Sequence, residues 1–326
     1  MTSELEGTYD PPVDVSRPHP GKPVARVLHA YLVAQLDQLL AADGAVRRHE
    51  PDGIHDLRVA LRRLRTTLAT YRCLVDRAVT DPLRDEMRWV SHTLGTARDA
   101  EVVQGRLQEL LAQEPHDVVL GPARSVLIGA TRADAREARR VADETLRSQR
   151  YLAVIDQLHH LVSDPPWTDA AGKQAHKALP KLLAKDLRRL RRRVRQVDEA
   201  DSPGERTRRL HDVRKAAKRL RYACEAAGSA TNAADLEGAA KQVQTVLGDH
   251  HDTVLTRDRL LELAATETCV STFTLDRLHA REETEAARLE RAFADAWDDL
   301  EEAARATASS AQPVAAFESG DPTPGR

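Results

Sequence analysis

The chain has 326 residues, 41% hydrophobic, 31% charged and only 3% aromatic, with a formal net charge of −2. Ala, Leu, Arg and Glu dominate, and Gly and Pro are sparse between about residues 21 and 305, which favours helices over sheets. No run of about eighteen apolar residues offers a membrane span, and the polar, Pro-rich N-terminus lacks the apolar stretch of a secretory signal. Cys73, Cys224 and Cys269 have no CxxC spacing and support neither a disulfide framework nor a zinc site, so a reducing, cytoplasmic setting is expected.

Residues 1–20 are rich in Pro, Ser and Thr without apolar periodicity and read as a disordered tail. Helical periodicity then predicts helices over 22–43, 54–76, 80–113, 120–147 and 149–163. The run Ser163-Asp164-Pro165-Pro166-Trp167 breaks the pattern. Further helices are predicted over 173–198, 206–228, 231–265 and 268–307, with a second tail at 307–326. The ordered domain is expected at 21–306, as halves of about 21–163 and 168–306.

The two halves share motifs in the same order. Ile54-His55-Asp56-Leu57-Arg58 matches Leu210-His211-Asp212-Val213-Arg214. Leu61-Arg62-Arg63-Leu64-Arg65 matches Ala217-Lys218-Arg219-Leu220-Arg221, and Leu94-Gly95-Thr96-Ala97-Arg98-Asp99 matches Leu247-Gly248-Asp249-His250-His251-Asp252. Two motifs recurring in order at similar separation imply an internal duplication of a helical bundle.

Charge is segregated as well. Lys181 to Arg221 holds 16 Lys/Arg against 6 Asp/Glu, and Glu262 to Glu302 holds 4 against 12. On a helical wheel His55, Arg58, Arg62 and Arg65 fall within roughly an 80° arc, opposite Leu57, Leu61, Leu64 and Leu68. His211, Arg214, Lys218 and Arg221 repeat the stripe, flanked by Lys215, Arg219 and Tyr222, opposite Val213, Ala217, Leu220 and Cys224. A third stripe, Lys181, Lys185, Arg188, Arg192 and Arg195, carries no histidine. A charged face opposite an apolar one is ordinary for a surface helix, but faces of a single sign are not, because like charges at i,i+4 repel. Either the acidic C-terminal helix or an anionic ligand must compensate. Cations along a groove suit a polymeric phosphate, bound through bidentate and point-charge contacts. Nucleic acid is the competing ligand, but single-strand binders add aromatic platforms, and only Tyr222 lies on a basic stripe.

These residues resemble the CHAD family, the conserved-histidine α-helical domain. Its hallmark helix stands here twice, as His55-Asp-Leu-Arg58-Val-Ala-Leu-Arg62-Arg63-Leu-Arg65 and His211-Asp-Val-Arg214-Lys-Ala-Ala-Lys218-Arg219-Leu-Arg221-Tyr222. The Leu-Gly-x-x-x-Asp element also appears twice, ending at Asp99 and Asp252. The resemblance covers roughly residues 20–305. It implies an all-α fold of two pseudo-symmetric four-helix bundle halves around a basic central groove or pore. It implies non-catalytic binding of inorganic polyphosphate and association with polyphosphate granules, with polyphosphate-metabolising enzymes as candidate partners. Carried over by position, the groove is expected to use His55, Arg58, Arg62, Arg63, Arg65, His211, Arg214, Lys215, Lys218, Arg219, Arg221 and Tyr222, with Lys181, Lys185, Arg188 and Arg192 from the preceding basic helix. Family members often carry a CYTH-type triphosphatase domain; its Glu-x-Glu-x-Lys signature is missing, so a stand-alone module is expected.

Neither a cofactor nor a metal is expected. His250-His251-Asp252 and His159-His160 look like ligand clusters, but neighbours on a helix point about 100° apart. Glu225 reads as a structural counter-ion, Cys224 as core, and Asp99 and Asp252 as caps or arginine partners. The other function classes weighed are a nucleic-acid binder and a metal-dependent phosphohydrolase, the latter needing clustered carboxylates that the stripes lack.

Overall fold

The computed structural model describes residues 23–50 and 52–310. Among them are nine α-helices: α1 (Val24–Arg47), α2 (Gly53–Thr70), α3 (Arg77–Gln113), α4 (Ala123–Arg147), α5 (Gln149–Ser163), α6 (Ala175–Asp198), α7 (Pro203–Ala227), α8 (Ala234–Thr266) and α9 (Thr272–Ser310). No strand occurs among the described residues, so the fold is all-α as expected; two isolated bridges join Pro23 to Gln174 and Val75 to Trp167. The expected tail at 1–20 lies outside the described residues, as do 311–326, whereas 307–310 continue α9.

The duplication is visible in the packing. α1 packs on α2, α2 on α3 and α3 on α4, as α6 packs on α7, α7 on α8 and α8 on α9. The fourth member of the first half is split. Ser148 adopts extended backbone (φ −70°, ψ 146°), ending α4, and its hydroxyl accepts the Tyr151 N–H at 3.2 Å to start α5. Its counterpart α9 runs unbroken through 39 residues. The halves meet where α2 packs on α7 and α3 on α8, the helices that bear the repeated motifs.

Three apolar cores hold this arrangement. One lies within the first half, around Leu57, Leu61, Leu64, Met87 and Tyr151. One lies mostly within the second, around Leu183, Leu190, Val213, Leu220 and Leu247, and also takes in Val24, Leu28 and Tyr71. The third belongs to neither: Val103, Leu107, Leu111 and Leu127 pack with Leu260, Leu263, Leu275 and Leu278 at the far ends of α3, α4, α8 and α9. Apolar area removed from water stabilises at roughly 25 cal/mol per Å², so this shared cluster fixes the halves to each other. At the opposite end the Tyr71 hydroxyl donates to the Ala223 carbonyl at 2.7 Å. The buried Asp186 carboxylate accepts from Thr70 Oγ1 and from Arg219 Nε, each at 2.7 Å.

Several boundaries differ from the periodicity. α1 passes its expected end at 43 because Val46, 1% exposed, extends the apolar stripe and Arg47 pairs back to Asp43 at 2.7 Å. α2 stops at Thr70 and not at 76, since the chain turns there to bury Tyr71, Leu74 and Val75. α7 starts at 203, three residues early, on a side-chain cap: Ser202 Oγ accepts from Glu205 N at 3.2 Å, Glu205 accepts from Asp201 N just before the cap at 3.1 Å, and Pro203 stands in the first turn.

The α1–α2 turn depends on a missing side chain. A Cβ on Gly53 would lie 2.9 Å from the backbone N of Val46. Backbone cannot yield as a flexible side chain can, so Gly53→Ala is expected to destabilise by about 2 kcal/mol. Thermal melting checks this; an unchanged midpoint would mean that the turn opens freely.

Candidate functional site

The crossing of α2 and α7 is where charge collects. Leu57, Leu61 and Leu64 on α2 and Val213, Ala217 and Leu220 on α7 are buried. Their burial forces the opposite faces of both helices outward, toward each other. Between α2, α3 and α7 this leaves an opening of about 660 Å³, lined by Arg58, Arg62, Arg65, Thr66, Ala69, Arg84, Arg88, Ser91, His92, Lys215 and Arg219. No carboxylate lines it among the described residues.

The cations from the two halves feel one another. Lys218 sits well below the usual lysine range because burial disfavours its charge and Arg62, Arg214 and Arg58 repel it; Asp252 offsets only part of this. Arg58 is pushed down to about 10, by burial first and then by Arg62, Arg98 and Arg214, against the opposing pull of Asp99 at 3.8 Å. Arg214 is lowered by burial and by Arg62, partly offset by Asp252. The arginines remain charged at neutral pH. The cluster therefore holds desolvated positive charge that the fold does not neutralise. Buried Nε donors of Arg62, Arg84, Arg214 and Arg221, and Nδ1 of His211, find no hydrogen-bond partner. Such groups are rare and costly without a ligand or water.

The Leu-Gly-x-x-x-Asp element explains itself here. A Cβ on Gly95 would stand 3.6 Å from Arg58 Nη2, and one on Gly248 would stand 3.6 Å from Arg214 Nη2. At each glycine a motif arginine packs against α3 or α8, at a distance that would leave a methyl group in ordinary contact with it. One turn later Asp99 and Asp252 supply the partial counter-charge, which is the arginine-partner role expected of them.

The histidines stand at the ends of the stripes. His55 is exposed and its pKa is lowered by burial of its ring atoms and by Arg98 and Arg62. His211 stacks on His251, centroids 4.4 Å apart and planes 44° apart. Burial, then Lys215, Arg214 and Lys218, hold His211 at about 4, and burial, then Arg214, hold His251 at about 3. His250 turns away into the protein, where its Nε2 lies 3.4 Å from Glu290.

Several expected positions are corrected. Arg63 does not face a free groove: it pairs with Glu225 at 2.8 Å, and the Tyr31 hydroxyl donates to the same carboxylate at 3.1 Å. Arg219 reaches the rim of the opening, but its guanidinium is held by Asp186 and by the Ala69 carbonyl at 3.0 Å. Both arginines staple the halves together, and Glu225 is the counter-ion the sequence suggested. Tyr222, expected beside the stripe, is 2% exposed; its ring lies under Arg63 and Arg221 and belongs to the interior. Lys181, Lys185, Arg188 and Arg192 are exposed and turn outward. On α6 it is Asp186 and Arg193 that face α7, rotated by more than about 100° from that stripe.

Arg84, Arg88 and His92 on α3 also line the opening, outside the three stripes that the sequence points to. Their i, i+4, i+8 spacing is a basic stripe, obscured by Asp81, Asp85 and Glu86 on the same turns. Aligning Gly95 with Gly248 places Glu237, Lys241 and Thr245 at the equivalent positions of α8, so the second wall is less basic. The acidic α9 does not cover the crossing; its carboxylates pair with Arg106, Arg206 and Arg191. No group of His, Cys, Asp and Glu among the described residues is arranged to hold a metal ion, and no described helix is long and apolar enough to cross a membrane.

The stapled pair at the half–half contact makes its own prediction. Removing one member of a largely buried ion pair leaves the other charge uncompensated. Asp186→Ala is expected to lower stability by about 2 kcal/mol, read by denaturant titration, while anion affinity of the folded protein stays close to wild type.

Comparison with known proteins gives a consistent picture. The pattern defining the CHAD domain matches residues 30–261. Two curated proteins of Mycobacterium tuberculosis, from strains CDC 1551 / Oshkosh and H37Rv and both described as uncharacterized, are 33% identical over 293 residues. The match covers 88% of this chain and 56% of each relative, so the chain spans little more than half the length of the proteins it resembles. PptA from Streptomyces chartreusis superimposes with a TM-score of 0.72 at 24% identity, covering 85% of this chain and 100% of that one. The crystal structure of the CHAD domain from the plant Ricinus communis superimposes with a TM-score of 0.66 at 21% identity, covering 90% and 97%. At these identities the likeness establishes the fold.

Proposed function

Because the chain belongs to the CHAD family, we propose that it binds inorganic polyphosphate, without hydrolysing it, in the groove where α2 crosses α7, and so attaches to or organises polyphosphate granules. The observation that carries this reading is the convergence of Arg58, Arg62, Arg214 and Lys218 from both halves, with Asp99, Asp249 and Asp252 too few to neutralise them. A chain of phosphates supplies one negative charge after another at close spacing. It would satisfy the unpartnered guanidinium donors and replace repulsion with charge-assisted hydrogen bonds.

A ligand without bases fits the lining. The groove-lining residues include no Phe, Tyr or Trp, and with Tyr222 in the interior bases would have little to stack on. Hydrolysis needs a general base or a carboxylate-held metal beside the phosphates; the lining offers Arg, Lys, His, Ser, Thr and Ala. On this reading enzymes of polyphosphate metabolism meet the protein through the polymer that it holds.

The test is titration with polyphosphates of defined length, against an oligonucleotide of equal charge, at physiological salt. Polyphosphate is expected to bind tighter, with affinity falling steeply as salt rises. Tighter binding of the oligonucleotide would overturn the ligand assignment. Orthophosphate release on adding magnesium or manganese would overturn the non-catalytic one.

A further inference from the structure

We propose that the groove has one working mouth: polyphosphate lies against the face that α3 flanks, and Glu225 and Glu237 keep it out of the equivalent face that α8 flanks. The inference rests on the polyphosphate reading above and adds the side of the molecule from which the polymer is held.

The internal duplication allows the two faces to be compared position by position. Aligning His55 with His211 and Gly95 with Gly248 gives the lining of the opening its counterparts across the α2–α7 crossing. Ala69 corresponds to Glu225, Arg84 to Glu237, Thr66 to Tyr222 and Lys215 to Val59. Each exchange takes positive charge or open space from the second face. α8 does flank that face: Arg221 Nη1 donates to Gln244 Oε1 at 3.2 Å, and Gln244 is the counterpart of Ser91.

The difference begins at the two staple arginines. Arg219 is claimed from behind, by Asp186 on α6, which is 4% exposed and does not line the opening. Aligning Leu32, Leu36 and Leu39 with Leu183, Leu187 and Leu190 puts Gln35 at the position of Asp186. Gln35 is 3% exposed, and its Oε1 has no hydrogen-bond partner. An uncharged amide cannot neutralise Arg63. The counter-charge comes from α7 instead, as Glu225 at 2.8 Å, with the Tyr31 hydroxyl donating to it. A carboxylate thus takes the position that Ala69 leaves clear on the first face.

Carboxylates also pair with cations of the first mouth, but from outside it. Asp81 lies 2.8 Å from Arg84 and Asp85 lies 2.8 Å from Arg88, and neither aspartate lines the opening. Arg88 and Asp85 are both mostly exposed, so their pairing is weak and a polyanion displaces it. On the second face Glu237 is half-buried and forms no ion pair among the described residues. Burial and then Glu225 raise its carboxyl, against the pull of Arg221 and Arg63. Two neighbouring carboxylates there repel an incoming phosphate chain.

The experiment removes one cation from each wall. Arg88 and Lys241 stand at equivalent positions and are both exposed, and Arg88→Gln and Lys241→Gln change the net charge equally, so location alone separates them. Titration with long-chain polyphosphate is expected to show Arg88→Gln weakened about tenfold, the loss of one charge-assisted hydrogen bond, and Lys241→Gln within about twofold of wild type. The salt slope falls by about 0.7 in the first variant and is unchanged in the second. Glu237→Gln is expected to raise affinity about threefold, because the second face then accepts the chain. Equal losses in the two wall variants, or a larger one in Lys241→Gln, would mean that the second face works too and would overturn the proposal. A Glu237→Gln protein with wild-type affinity would overturn it as well, since nothing would then be excluded. If wild type itself binds no polyphosphate, the polyphosphate reading falls and the single mouth with it; equal losses in a protein that binds leave that reading standing. Circular dichroism checks that each variant keeps its helices.

Discussion

Arg62→Ala combined with Lys218→Ala is expected to weaken polyphosphate binding by about a hundredfold and to raise the melting temperature. Each side chain gives charge-assisted hydrogen bonds to phosphate oxygens, so losing both costs about 3 kcal/mol of binding, or about a hundredfold in affinity. Stability moves the other way because both groups are desolvated cations: Arg62 repels Lys218, and Arg62 Nε finds no partner. A residue that merely supports the fold would give the reverse pattern, lower stability with binding per folded molecule unchanged. Isothermal titration and differential scanning calorimetry on one preparation separate the two. Unchanged affinity would remove the α2–α7 crossing as the binding site.

The second large effect is proton uptake. In the free protein His211 titrates at about 4 and His251 at about 3, against an ordinary value near 6.5, so both are neutral at pH 7. The causes are burial first, and then Lys215, Arg214 and Lys218 beside His211, and Arg214, His211 and Lys218 beside His251. A bound polyanion reverses that field and lifts both toward the ordinary range. Binding then takes up protons, and affinity rises as the pH falls. If one of them returns to about 6.5 on binding, affinity gains about tenfold between pH 7.5 and 5.5. Calorimetry in buffers of different ionisation enthalpy reads the uptake directly; His211→Gln with His251→Gln is expected to abolish most of it. Long chains are the right probe because their end groups titrate in the same range. The free protein behaves oppositely. A histidine whose folded pKa is depressed favours the native state fully above about pH 6.5 and loses that contribution as the pH falls from there toward 4. Melting temperature without ligand should therefore drop over the window in which affinity climbs.

Much of this was legible in the sequence. The duplication, the two stripes opposite apolar faces and the Leu-Gly-x-x-x-Asp element all depend on spacing along one helix, which periodicity reports. What spacing cannot report is which cation another element has claimed. Arg62 and Arg63 are neighbours in sequence, yet Arg63 belongs to Glu225, more than one hundred and fifty residues away, while Arg62 stays unpaired. Tyr222 sits one residue from Arg221, at the edge of the wheel's charged arc, and only the packing of α7 against its neighbours decides that it turns inward. Helical rotation is hidden for the same reason. α6 has cations around most of its polar circumference, and the position of Asp186 against α7 selects Arg193, 3.6 Å from Asp212, as the cation turned toward that helix.

The apolar cluster at the far ends of α3, α4, α8 and α9 draws on both repeats at once. A single repeat, released on its own, would carry Leu107, Leu111 and Leu127 bare and would need a twin to cover them. Joining the repeats in one polypeptide supplies that twin at a fixed effective concentration, so the cleft stays assembled at any dilution. It also frees the two walls to diverge. In a dimer of identical subunits every substitution appears on both sides of the axis; here evolution could keep Arg84, Arg88 and His92 on one wall while placing Glu237, Lys241 and Thr245 on the other.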